Sequence, residues 1–149
     1  VPGRTSCDLL PETIAKLAPH ENIMGIKEAT GDLSRLEELK KLIRDETFFL
    51  YSGDDATATD FILNGGHGNI SVTANIVPEL MSKLCDLALE KSPEAKVIEN
   101  KIQILLLLSN LKKQGKRVVG VSAPAKGMTL LNYCGVDKHI FDYITETKI

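Results

Sequence analysis

Cysteine is scarce. Cys7, Cys85 and Cys134 stand far apart in 149 residues and form no CxxC pair. That spacing argues against a disulfide framework or a zinc site and fits reduced thiols in a cytoplasm. Histidine is as sparse, and His20, His67 and His139 are too scattered to predict a metal site. Neither sign of charge dominates: 18 Lys and Arg against 20 Asp and Glu leave a formal net charge of -2, mixed along the chain. No face is evidently basic, so nucleic acid is not an expected partner. Long hydrophobic runs are missing too. The longest, Ile102 to Leu108 with Gln103 inside it, falls far short of a membrane span. No hydrophobic stretch follows Val1-Pro2-Gly3-Arg4, as a signal peptide would require. Internal repeats and low-complexity segments are not evident. What is there, 43% hydrophobic and 26% charged, predicts one cytoplasmic globular unit of the α/β class with a real core.

Strand and helix patterns alternate through the first two thirds. Leu9 to Leu17 reads as a short helix, with Pro11 in the first turn where its missing N–H costs nothing. Asn22 to Ala29 is a compact apolar run and predicts a buried strand. Asp32 can cap the next helix, whose Leu33, Leu36, Leu39 and Leu42 form a stripe at helical spacing. Phe48 to Gly53 predicts a second strand, Ala56 to Leu63 a helix ended by Asn64-Gly65-Gly66, and Asn69 to Thr73 a third strand. A long helix follows from about Pro78 to Lys91. This order predicts a parallel sheet with right-handed crossovers. After Ser92-Pro93 the alternation stops. Lys96 to Lys113, Pro124 to Tyr133 and Lys138 to Thr147 read as helices, the Leu105–Leu108 run as a buried helical face, and Gly115 to Val121 as either a strand or an extended loop. Three strands, with at most a stub at Val1-Pro2, leave parallel edges uncovered, so the expected sheet is incomplete.

In folds of this kind the working residues gather where strands end. Lys27 is the anomaly, a cation within an apolar strand. An ammonium held in apolar surroundings gives up its proton more readily, and the free amine can attack a carbonyl to form an imine. The alternative is a strand-end lysine that reaches solvent or pairs with Glu28 or an aspartate. Arg4 has the planar fork that clamps a carboxylate, or is an ordinary loop arginine. Asp54-Asp55 are either paired acids or a helix cap. Gly53 either admits a ligand close to the backbone or only permits the turn. Gly65-Gly66-His67-Gly68 precedes a strand and so is not a phosphate loop.

Taken in order, VPGRT (1–5), GIKEATG (25–31), SGDDA (52–56) and GGHGNISVTAN (65–75) resemble successive motifs of the dihydrodipicolinate synthase and N-acetylneuraminate lyase family of lysine-dependent aldolases. The likeness is dense from Val1 to about Lys91 and thin beyond; Ser122 to Lys126 matches loosely and Lys112 to Val121 does not match. It implies the C-terminal half of a TIM (β/α)8 barrel over residues 1–91 and a C-terminal helical appendage over residues 92–149. It implies that Lys27 forms an imine with pyruvate, that the derived enamine attacks aspartate 4-semialdehyde, that Arg4 holds the carboxylate of this second substrate, and that Gly53 and Ile70 line the pyruvate pocket. No cofactor is implied, because the imine is the electron sink. The partners implied are the two substrates, the N-terminal half-barrel with its proton-relaying tyrosines, and further copies in a homo-oligomer.

Arg4-Thr5 and Asp54-Asp55 favour a synthase over a sugar-acid lyase of the same family. The other alternative is a catalytically silent half-barrel that serves as an interaction module.

Overall fold

Side-chain alternation decides the architecture. In a strand, successive residues point to opposite faces. In β1 (Gly25–Glu28) Ile26 and Glu28 turn one way and Lys27 the other, and in β2 (Phe49–Ser52) Leu50 and Ser52 turn one way and Phe49 and Tyr51 the other. The computed structural model describes residues 5–117, 119–122 and 143–146. In it β1, β2 and β3 (Gly68–Asn69) form a parallel sheet in that order. The register sets Lys27 beside Tyr51 and Tyr51 beside Gly68, with Glu28, Ser52 and Asn69 aligned on the opposite face.

Helices cover one face. Helices α1 (Pro11–Leu17), α2 (Leu33–Leu42) and α3 (Ala58–Leu63) supply Ile14, Leu36, Leu39 and Phe61 to a core that also takes Phe48 and Leu50, with Ile26 packed against it. Leu36 and Leu39 are fully buried, whereas Leu42 stays half-exposed at the end of the expected stripe. The start of α2 follows from Asp32, whose carboxylate accepts from the Ser34 N–H at 2.9 Å and satisfies one of the orphan donors of the first turn. A smaller cluster of Ile62, Ala88 and Ala95 joins α3 to α4 (Pro78–Leu89) and the start of α5 (Glu94–Lys113).

The chain divides into two compact units, Val1–Ile98 and Glu99–Ile149, so α5 runs across the division. In the second unit β4 (Val119–Ser122) pairs in parallel with β5 (Tyr143–Glu146). The segment from Gly115 to Val121 thus resolves as a strand over its second half. The helix expected from Lys138 to Thr147 is corrected over Tyr143–Glu146, where aromatic and β-branched residues favour the extended backbone. The helix expected from Pro124 to Tyr133 lies outside the described residues. The leucine run is not a buried face: Leu107 is 59% exposed, because four successive residues turn through every side of a helix.

The third strand is also shorter than expected. Asn69 to Thr73 was expected to be a strand, yet pairing stops at Asn69, and Thr73–Asn75 is a turn of 3-10 helix. The cause is a competing acceptor. The N–H groups of Val72 and Thr73 donate to the Asp55 carboxylate, not to a neighbouring strand.

Candidate active site

Lys27, Gly53 and Ile70 stand on the same face of the sheet. Lys27 is in β1, Gly53 is two residues beyond Tyr51, and Ile70 is two residues beyond Gly68; the register aligns Lys27, Tyr51 and Gly68. Backbone bonds extend the alignment past the strand ends: the Gly53 N–H donates to the Glu28 carbonyl at 2.6 Å and the Ile70 N–H to the Ser52 carbonyl at 2.8 Å. This face is opposite the helix-covered core. Lys27 is exposed on it and Ile70 is 48% exposed. The apolar enclosure expected around Lys27 is therefore not provided by the described residues. The reason is the alternation itself, which gives the helices Ile26 and Glu28 and turns Lys27 away from them.

Glycines make room for the larger side chains. A Cβ placed on Gly53 would lie 2.5 Å from Cε and 2.9 Å from Cγ of Lys27, and 2.7 Å from the Cβ of Ala29. The aliphatic stem of Lys27 thus lies directly over the Gly53 backbone. Gly68 does the same for Tyr51, whose ring carbons would meet an added Cβ at 3.3 Å, and its φ of +153° is costly for any other residue. Tyr51 is a direct neighbour of Lys27 that sequence reading did not single out; the register of β1 and β2 is what identifies it. Phe49 continues the row, its ring edge-on to His67 at 5.4 Å. A cavity of about 420 Å³ opens near the starts of β1 and β2 and one of about 240 Å³ near the starts of β2 and β3, and neither is lined by Lys27, Gly53 or Ile70.

Glu28 does not pair with Lys27. It is buried on the helix side, where Oε1 accepts from the Thr30 N–H at 2.7 Å and Oε2 from Nε of Arg35 at 2.8 Å. Arg35 then donates through Nη1 to Asp8 at 2.7 Å and through Nη2 to the Leu9 carbonyl at 2.8 Å. The network fixes the turn after β1 and so the direction in which Lys27 leaves the strand. Its signal in the sequence was an acid inside an apolar run with an arginine seven residues later.

The two aspartates have separate tasks. Asp54 accepts from the N–H and hydroxyl of Thr57 at 3.1 and 2.9 Å. It closes the turn before α3 without being the residue that caps the helix. Asp55 Oδ2 accepts from the N–H of Val72 at 3.1 Å and from the N–H and hydroxyl of Thr73 at 2.9 and 2.8 Å, while Oδ1 accepts from the Asn69 amide at 2.8 Å. Partial burial pushes the Asp55 carboxyl up, but bonds from Ser71, Thr73 and Asn69 outweigh it and hold it below the usual carboxylate range. A depressed folded pKa contributes stability that is complete above the unfolded value, about 3.9, and is lost as pH falls through the folded value. Melting followed from pH 6 down to pH 3 should therefore lose stability more steeply for the parent than for Asp55→Asn; parallel curves would contradict this. The comparison isolates Asp55 from Asp32 and Asp45, whose carboxyls are also depressed by local bonds.

Arg4 lies outside the described residues. Among the described residues no group of three or more His, Cys, Asp or Glu could hold a metal ion, and no helix is long and apolar enough to cross a membrane.

The chain is similar to curated 4-hydroxy-tetrahydrodipicolinate synthases. That of Psychromonas ingrahamii is 59% identical over 103 residues, which are 68% of this chain and 35% of the relative. That of Pseudomonas savastanoi pv. phaseolicola is 46% identical over 136 residues, 83% of this chain and 46% of the relative. The fold resembles the crystal structure of the chloride-inhibited dihydrodipicolinate synthase of Acinetobacter baumannii complexed with pyruvate, with a TM-score of 0.70 and 36% identity, covering 92% of this chain and 54% of that one. The chain thus spans less than half the length of these curated relatives, and its parallel strands and helices are part of an α/β barrel of the dihydrodipicolinate synthase kind. With the family profile matched over residues 1–140, the chain belongs to the dihydrodipicolinate synthetase family.

Proposed function

We propose that this chain carries the imine-forming part of a 4-hydroxy-tetrahydrodipicolinate synthase, with the barrel segment over residues 1–91 and the appendage over residues 92–149. The observation that carries the reading is the placement of Lys27 on the open face beside Gly53 and Ile70. The Nζ of Lys27 adds to the C2 carbonyl of pyruvate, and loss of water leaves the imine. Loss of a proton from C3 gives the enamine, whose C3 bonds to the aldehyde carbon of aspartate 4-semialdehyde. Gly53 and Ile70 bound the pyruvate pocket, and Arg4 pairs with the carboxylate of the semialdehyde through its fork. The reaction needs no cofactor, and reduced, well-separated cysteines suit a cytoplasmic setting.

Turnover needs more chain than is present here. A (β/α)8 barrel closes with eight strands and about 250 residues. Among the described residues the sheet that carries Lys27 has three strands, and Ile70 and Val72, just beyond its last one, remain 48% and 75% exposed. An N-terminal half-barrel would enclose Lys27 and supply the groups that move protons. The test mixes this chain with a separately produced N-terminal half of the Psychromonas relative and follows condensation of pyruvate with the semialdehyde. The chain alone should be inactive, the mixture active, and a mixture containing Lys27→Ala inactive. Condensation by the unaided chain would contradict the part-enzyme reading, and a mixture that folds together without activity would favour a silent interaction module.

A further inference from the structure

We propose that Asp55 is a positioning residue for the pyruvate pocket, acting through the segment from Asn69 to Thr73 that carries Ile70. The inference rests on the imine reading for its consequence in binding, and on hydrogen bonding alone for its structural part. Besides Ser71, four donors from this one segment converge on the Asp55 carboxylate: the Asn69 amide, the N–H groups of Val72 and Thr73, and the Thr73 hydroxyl. No regular helix or strand could satisfy those two N–H groups here. Pairing in β3 has ended at Asn69, and Thr73–Asn75 is a short 3-10 turn whose first donors have no partner within the turn. Asp55 caps that turn from another loop, and its negative charge suits the exposed donors of a turn's beginning.

Ile70 lies between two fixed points. Its own N–H is held by the Ser52 carbonyl at 2.8 Å, while Asn69 just before it and Val72 two residues after it are held by Asp55. Asp55 is itself two residues beyond Gly53, the glycine on which the Lys27 stem rests. One carboxylate therefore ties the loop that receives the lysine to the loop that offers Ile70. Without it, the spacing between the two sides of the pocket is no longer set by any side-chain contact in the segment, while the sheet and the helix-side core remain. Asp54, next to it, bonds only within its own turn and does not share the role.

The experiment uses the full chain and its Asp55→Asn, Asp55→Ala and Asp54→Asn variants, with two readouts. Pyruvate is titrated, the imine is trapped with borohydride, and the adduct on Lys27 is quantified by peptide mass spectrometry. Asp55→Ala should raise the half-saturating pyruvate concentration about tenfold with little change in the limiting yield, since displacement of a binding wall weakens capture more than chemistry. Asp55→Asn, which keeps size and one acceptor oxygen, should fall between Asp55→Ala and the parent, and Asp54→Asn should match the parent. In parallel, amide NMR should show faster exchange at Val72 and Thr73 and a moved Ile70 resonance in Asp55→Asn, with the Gly53 amide protected as before. Released Val72 and Thr73 amides with Ile70 and half-saturation unchanged would overturn the proposal, as would equal effects from Asp54→Asn. Should the parent form no adduct on Lys27, the imine reading fails; the positioning of Ile70 then stands or falls on the NMR result alone.

Discussion

Replacing Arg35 with methionine is expected to lower the free energy of unfolding by about 3–5 kcal/mol, the range for removing one partner of a buried ion pair. Glu28 is 7% exposed and Arg35 is its charged partner, while the Thr30 N–H is its remaining donor. Methionine keeps most of the volume, so the loss comes from an uncompensated carboxylate on the helix side of the sheet. Asp8 and the Leu9 carbonyl lose their donor in the same substitution, which loosens the approach to α1. A second change, Glu28→Leu in the Arg35→Met background, should recover much of the loss, because two apolar groups of similar size can replace a buried pair. Urea denaturation of the parent, the single variant and the pair gives the comparison. A single-variant loss under 1 kcal/mol would mean that the network is screened as a surface pair is.

The second large effect is expected at Gly53. An added methyl group would occupy the place of the Lys27 stem and of the Ala29 methyl. The lysine can rotate away, but Ala29 can retreat only if the backbone moves, so both loops shift. A displacement near 1 Å at a reacting amine costs about a hundredfold. Gly53→Ala should therefore reduce pyruvate trapping at Lys27 by at least tenfold while the far-ultraviolet circular dichroism stays that of the parent. Trapping equal to the parent's would show that the contact between Gly53 and Lys27 does not govern the amine.

Much of the barrel segment was legible because local signals agreed with the fold. Asp32 caps the helix it was expected to cap, Pro11 opens α1, and the strands containing Lys27 and Tyr51 pair in the order that alternation predicts. Lys27 was legible for a different reason. A cation in an apolar strand breaks the pattern, and patterns break where chemistry sits. Its surroundings were not legible, since period-2 alternation puts Lys27 on the uncovered face and Glu28 in the core, the reverse of what the apolar neighbours imply. Asn69 to Thr73 misled because β-branched residues favour a strand, whereas a carboxylate from a loop 14 to 18 residues earlier takes the N–H groups first. That contact is tertiary, and no local signal announces it. The segment from Lys138 misled in the opposite direction, its parallel partner lying more than 20 residues away at Val119–Ser122.

The proposed chemistry depends most on one amine, that of Lys27. Incubation of the chain with pyruvate and borohydride, followed by peptide mass spectrometry, tests it directly. The expected result is a pyruvate adduct on Lys27 above every other lysine, absent from Lys27→Ala and enhanced when an N-terminal half-barrel is present to enclose the site. Adducts spread evenly over the exposed lysines, unchanged by that partner, would contradict the assignment of Lys27 as the imine-forming residue.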